Sequence, residues 1–202
     1  MSNVISLKKG QPISLKKGLH LGSKIRVAMG WTAKGTSGNV DLDVTGFELN
    51  ATGHTPNASF TDVVFYYNLV DRYGAIVHSP DDRKGQVSVD TDAEFIDIDF
   101  SKIPEIITRI AIVVTIDESE VVGQKFSDID AAEVRIYDGL GSDKKVVASY
   151  NLAEDFSNFN ALETVEFYRE NGEWQIKRIG EGKDCSLYDF FQQYGVMDVR
   201  PD

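Results

Sequence analysis

Apolar and polar residues alternate in short runs along most of this chain, the period of a strand that buries one face. The pattern predicts strands over Lys24–Trp31, Asp41–Leu49, Asp62–Tyr67, Glu94–Phe100, Arg109–Ile116, Glu133–Tyr137, Lys145–Leu152, Thr164–Arg169 and Trp174–Ile179, with Gly, Asn or Asp at most of the intervening turns. Glu170-Asn171-Gly172-Glu173 is the strongest hairpin signal, because Asn-Gly accepts the two positive φ angles of a type I′ turn. So many short strands predict a mainly β chain folded as a β-sandwich. Near the end the period changes. Leu187, Phe190, Phe191 and Tyr194 fall at i, i+3, i+4 and i+7, one apolar face of a C-terminal helix. Asp184 or Ser186 is placed to cap its start, and Gly195 to end it in the left-handed conformation.

The chain opens on a repeat, Ile5-Ser6-Leu7-Lys8-Lys9-Gly10 and Ile13-Ser14-Leu15-Lys16-Lys17-Gly18, joined by Gln11-Pro12. Apolar residues alternate with Ser and Lys in each copy, and Gly10 supplies a permissive turn, so residues 1–18 read as a basic β-hairpin. Its lysines protect a sheet edge against pairing with other chains; contact with an anionic surface is the alternative role.

At 202 residues and 42% hydrophobic, the chain suits one sizeable core, and a single domain over 1–202 is expected. No apolar run approaches the ~20 residues that span a bilayer. Met1-Ser2-Asn3-Val4 lacks the regions of a signal peptide, which points to the cytoplasm. The one cysteine, Cys185, forms no internal disulfide, and packing is its expected role. Net charge is −11, although the six bases through Arg26 meet no acid. A body this acidic argues against wrapping nucleic acid.

The charge matters most where it is concentrated. Between Asp81 and Asp99 seven carboxylates face two bases, Arg83 and Lys84, a local net of −5. Like charges so close repel unless solvent or a cation screens them. Asp41 and Asp43 point to one face of their strand, about 6 to 7 Å apart from Cα to Cα, so one cation fits between them. Asn68 follows the aromatic run Phe65-Tyr66-Tyr67 and offers a neutral oxygen. Ligands drawn from several loops suit calcium, which takes six to eight oxygens in irregular geometry, better than magnesium. The spacing is not that of an EF-hand.

These residues belong to a longer ordered set: Trp31, Asp41-Leu42-Asp43, Phe65-Tyr66-Tyr67-Asn68, Gly74, Val77-His78-Ser79-Pro80-Asp81-Asp82, Ile98-Asp99-Phe100-Ser101-Lys102-Ile103-Pro104, Val113-Val114-Thr115-Ile116, Gln124-Lys125-Phe126 and Gln192-Gln193-Tyr194-Gly195-Val196. In this order, over nearly the whole chain, they resemble the TerD family of tellurite-resistance and general stress proteins. The resemblance implies a calcium-binding sandwich of two sheets with short connecting helices. It implies a stress-response role without an established reaction, and stress-response partners that include membrane-associated ones, so the inner face of the membrane is a place of peripheral contact. Asp41, Asp43, Asn68 and Asp81 match the family's acidic pattern. Asp82 occupies an Asn position, Asp90, Asp92 and Glu94 close the acidic loop, and Asp99 matches the Asp before the Ser-Lys-x-Pro turn, where it binds metal or holds the turn.

One departure matters. The family loop usually runs Asp-Asn-x-Thr-Gly-Glu-Gly-Asp-Gly-Asp-Asp-Glu, whereas here Asp81 to Glu94 carries Gln86-Val87-Ser88-Val89 and has lost several glycines and acids. Lys84 is placed to substitute for a cation by pairing with Asp81 or Asp90. The expectation is one calcium site kept and another weakened or lost. Asp117 with Asp128 and Asp130 reads as a second cation site or as a solvated strand-end loop. His20, His54 and His78 are scattered, and no nucleophile elbow, phosphate loop or paired-cysteine motif is present, so no enzyme is expected. His78, alone beside the acidic loop, reads as structural. Two other functions compete with calcium binding: a scaffold whose calcium sites have decayed, and a module for a small phosphorylated ligand bridged by the ion.

Overall fold

The computed structural model describes residues 5–6, 22–33, 40–85, 88–117 and 123–197. Along them run β1 (Ile5–Ser6), β2 (Lys24–Ala33), β3 (Asp41–Leu49), β4 (Val63–Val64), β5 (Ile76–His78), β6 (Glu94–Asp99), β7 (Arg109–Asp117), β8 (Ile129–Asp138), β9 (Lys145–Asn151), α1 (Leu152–Asp155), β10 (Ala161–Glu170), β11 (Glu173–Lys183) and α2 (Leu187–Gln193). Six strands form one sheet in the order β1-β9-β8-β2-β6-β5, and five form the other in the order β11-β10-β7-β3-β4. The mainly β sandwich expected from the alternation is the fold, with a C-terminal helix packed on it.

Alternation explains the core. Ile25, Val27, Met29 and Trp31 of β2 and Ile96 and Ile98 of β6 point inward from the first sheet. Leu42 and Val44 of β3 and Ile110, Ile112, Val114 and Ile116 of β7 meet them from the second. The second sheet also buries part of its outer face: Phe47, Leu49, Ala111, Val113 and Ala161 lie with Phe190, Phe191 and Tyr194 of α2. The rings of Phe47 and Tyr194 are 4.7 Å apart. Ser186 caps α2, its Oγ accepting the Asp189 N–H at 3.3 Å while Asp189 accepts the Ser186 N–H at 2.8 Å. Asp184, the other candidate cap, pairs instead with Lys125 at 2.5 Å. The Asn171-Gly172 turn has φ of 53° and 84°, as a type I′ hairpin requires.

Two segments depart from the pattern. The run expected as a strand over Asp62–Tyr67 is paired only at Val63–Val64, after a 3-10 turn at Phe60–Asp62. The chain then folds back, with Phe65 and Asn68 exchanging backbone bonds at 3.1 and 2.9 Å. The Asn68 amide nitrogen donates to the Val63 carbonyl at 2.7 Å, closing the turn with a side chain where a ladder would use backbone. At the other end of the chain, Ile5–Ser6 pairs in parallel with β9, and the rest of the expected hairpin lies outside the described residues. Among the described residues no helix is long and apolar enough to cross a membrane.

Candidate metal centre

Strand register assembles the site. β3 and β7 pair with Asp41 opposite Asp117 and Asp43 opposite Thr115. All four side chains therefore share the outer face of the second sheet, in the same row as Phe47 and Val113, which α2 covers. Where the helix begins, the row turns polar. Asp81 arrives from the loop after β5, and one oxygen from each of Asp41, Asp43 and Asp81 lies within 4.8 Å of the other two.

Carboxylates facing each other across an antiparallel pair repel, and one cation of this chain answers them. Arg83 Nε donates to Asp41 Oδ2 at 3.0 Å, and the same guanidinium stands 3.8 Å from Asp117. It leaves Asp41 Oδ1 buried without a hydrogen-bond partner. Asp43 is 5% exposed. Burial, then the charges of Asp41, Asp117 and Asp81, push the Asp43 carboxyl well above its ordinary range. Burial also raises Asp41, although the Arg83 hydrogen bond opposes it. Hard oxygens gathered this closely, with one of them orphaned, fit a hard cation such as calcium.

Glu94 supports the cluster from the opposite sheet. β4 covers the edge of β3 only at Gly46 and Phe47, so side chains take up the backbone of Val44. Glu94 accepts the Val44 N–H and the Asp82 N–H, each at 3.1 Å. His78 Nε2 lies 2.8 Å from the Val44 carbonyl and its Nδ1 lies 2.6 Å from the Ser79 carbonyl, a structural placement. Burial and the nearby Asp43 push the Glu94 carboxyl up to about 9, against the two N–H groups that favour its ionised form. The loop is held where Gly85, at φ 69°, rests on Trp31: a Cβ there would stand 2.6 Å from the indole nitrogen. Gly30 makes room for its second half, since a Cβ would come within 2.2 Å of the Val89 carbonyl.

The other sequence candidates go elsewhere. Asp92 is enclosed on the first sheet: Arg135 and Tyr137 donate to Oδ1, each at 3.0 Å, and Lys144 pairs with Oδ2. Burial pushes Asp92 up, but hydrogen bonds from Lys144, Arg135 and Tyr137 outweigh it and hold the carboxyl below its ordinary value. Asp90 is exposed in a turn in which its N–H meets Ser88 Oγ at 3.2 Å, and Asp82 accepts the Lys84 N–H at 3.1 Å. Asp99 accepts the Ser101 N–H at 3.2 Å, capping the 3-10 turn at Phe100–Lys102, and stands 3.5 Å from Lys24. Asn68 spends its amide nitrogen on the turn described above. Asp117 joins the first cluster, whereas Asp128 accepts the Lys125 N–H at 2.8 Å.

The sequence reading missed Arg83 as the cation that reaches Asp41, having favoured Lys84. It also missed a cavity of about 220 Å³ beside the carboxylates, lined by Asp43, Thr115, Asp117, Tyr66, Leu187 and Tyr188 among others. Its walls come from strands and a helix far apart in sequence, so no local motif announces it.

The geometry can be set beside known proteins. A family model described as the TerD domain matches residues 3–194. The tellurium resistance protein TerD of Serratia marcescens is 34% identical over 193 residues, covering 95% of this chain and 97% of that protein. General stress protein 16U of Bacillus subtilis is 36% identical over 195 residues, covering 96% and 98%. The crystal structure of a homologue of telluride resistance protein (TerD) from Streptomyces coelicolor superposes with a TM-score of 0.72 at 19% identity, covering 85% of this chain and 96% of that one, a likeness of fold. The chain belongs to the TerD domain family.

Proposed function

We propose that this chain is a non-enzymatic, calcium-binding protein of the stress response, tellurium resistance included. The observation that carries the reading is the cluster of Asp41, Asp43 and Asp81, with ligand oxygens within 4.8 Å of each other and an orphaned Asp41 oxygen. The names of the Serratia and Bacillus relatives support the stress-response part. A bound calcium ion supplies two positive charges and coordination to several oxygens at once. Asp41 and Asp43 hold their positions through β3, so Asp81 and its loop are the part that ion binding orders. Arg83, 53% exposed along its side chain, is the group that moves aside.

The enclosure of Asp92 by Arg135 and Lys144 supports a single such site: charges belonging to the protein neutralise the far end of the loop. Partner proteins are the output of the ordered loop, in the cytoplasm and at the inner face of the membrane. Tyr67, Leu69, Val70, Tyr73 and Val77, all exposed, offer them an apolar surface close to it in sequence. Capture of a partner that does not depend on calcium would count against that step. Hydrolysis of test esters, phosphates or glycosides, lost on Asp41→Asn, would overturn the non-enzymatic reading.

The direct test is thermal unfolding after chelation, with calcium or magnesium restored at matched ionic strength. At a hundred times its dissociation constant one ion adds ~2.7 kcal/mol, roughly 5–10 °C for a domain of this size. A calcium-selective rise of that order is expected. No rise would make the chain a scaffold with a decayed site.

A further inference from the structure

Glu48 is a buried carboxylate that the candidate metal centre does not use, and neither of its oxygens has a hydrogen-bond partner among the described residues. Its place follows from register. β3 and β4 pair Gly46 with Val64 and Phe47 with Val63, so the next position sets Glu48 opposite Asp62, in the 3-10 turn that leads into β4. With Leu42 and Val44 in the core, the two-residue period turns Glu48 to the same inward face. The acids around it already have donors. Asp62 accepts the Asn57 N–H at 2.8 Å and pairs with the Arg72 guanidinium at 2.9 Å. Asp71 accepts the N–H groups of Tyr73, Ala75 and Ile76 at 3.2, 2.7 and 2.8 Å, which closes the turn between them. Arg72, the cation that acts on Glu48, is committed to Asp62. β7 sets Ile110 opposite Glu48, and β6 brings Ile96 and Ile98 to the core, so neither strand supplies a charge there. An ionised Glu48 is then a third negative charge, held out of water without a donor.

The cover over Glu48 is unequal on its two sides. β7 pairs with β3 along the whole of Asp41–Leu49, whereas β4 covers it at two positions. The weaker cover is the chain from Phe60 to Ile76, fixed by Asp62 at one end and by the Asp71 turn at the other. We propose that Glu48 is a proton-operated latch: with its proton in place this segment lies closed on β3, and loss of the proton to water opens the segment so that solvent reaches the carboxylate. Burial, with the charges of Asp71 and Asp62, pushes the closed carboxyl from 4.5 up to about 8, so the latch works across the neutral range. Tyr67, Leu69, Val70 and Tyr73, all exposed, lie on the segment. Acid therefore keeps this apolar surface assembled and alkali takes it apart. The latch rests neither on calcium binding nor on the surface serving a partner.

The test is hydrogen exchange of the full chain by NMR from about pH 5.5 to 9.5, with the intrinsic exchange rate divided out, beside the carboxyl carbon shift of Glu48. Between the open and closed values of its carboxyl each opening releases one proton. Protection of the Asn57, Ala75 and Ile76 amides should therefore fall about tenfold per pH unit up to about 8 and level off above it, where the Glu48 shift has its midpoint. At every pH these amides should be about tenfold or more less protected than Val113 in the β3–β7 ladder, and much less sensitive to urea, because they exchange through a local opening. In Glu48→Gln their protection should be nearly independent of pH. The latch is overturned by a Glu48 shift that titrates below about pH 6, by Asn57, Ala75 and Ile76 exchanging only as fast as Val113, or by a pH slope that survives in Glu48→Gln. Should that variant not fold, the midpoint and the slope in the unaltered chain decide.

Discussion

The same acidic loop ends in two different electrostatic arrangements. At its far end Asp92 is met by Arg135, Tyr137 and Lys144, and its carboxyl stays below its ordinary value. At its near end Asp81 joins Asp41 and Asp43, where the partly exposed Arg83 reaches one Asp41 oxygen and burial pushes the Asp41 and Asp43 carboxyls up. The first is closed by the protein's own cations. The second is left short of positive charge. Buried carboxylates therefore do not mark an ion site by themselves; what distinguishes one is whether their oxygens already have donors.

The strongest way to break this contrast is to open the closed end. Arg135 is 7% exposed along its side chain and Asp92 is 12%. Arg135→Met leaves a buried carboxylate with a partner removed, and we expect a loss of about 3 kcal/mol, seen as a Tm lower by roughly 6–12 °C in chelator and in calcium alike. Urea unfolding checks the free energy. A loss that calcium restores would mean the two ends are not separate. At the open end the effect is conditional: Asp43→Asn should remove the ~2.7 kcal/mol that saturating calcium adds, while Asp99→Asn, at a capped turn, should leave that increment in place. Differential scanning calorimetry with and without the ion measures both.

A third carboxylate shows what happens with neither solution. Glu48 is 0% exposed and both its oxygens lack hydrogen-bond partners. Burial, with the charges of Asp71 and Asp62, pushes it from 4.5 up to about 8. A raised carboxyl binds more protons in the folded chain than in the unfolded one. Stability from this group is thus present at low pH and lost as pH rises from about 4.5 through about 8. Glu48→Gln should flatten that part of the profile and add about 1–3 kcal/mol at pH 9; denaturant midpoints from pH 5 to pH 9 would show an unchanged slope if the reading is wrong. The smallest effect belongs to Arg83→Ala. An exposed pair is worth about 1 kcal/mol or less, so the metal-free protein should hardly change while calcium binds a few-fold tighter, as calorimetry would report.

Much of this was legible from local pattern. The β3 boundaries follow from alternation around Leu42 and Val44, α2 from the spacing of Phe190, Phe191 and Tyr194, and the β10–β11 turn from Asn171-Gly172. The pairing of Asp41 with Asp43 on one face needs only the two-residue period of a strand. What stayed hidden was set by distance along the chain. Arg135 stands 43 residues from Asp92 and Asp117 pairs across from Asp41 by sheet register, relations no local window contains. Asn68 and Asp99 have the chemistry of ligands, yet their side chains hold turns at Val63 and Ser101. Three-residue β5 is too short to give a period.

We propose that one end of the acidic loop is open to a cation and that the other is closed by Arg135 and Lys144. Isothermal titration of the chelator-treated protein with calcium tests that most directly. One ion per chain, lost in Asp43→Asn and retained in Asp92→Asn, is the predicted result. Two tight ions per chain, or none, would contradict it.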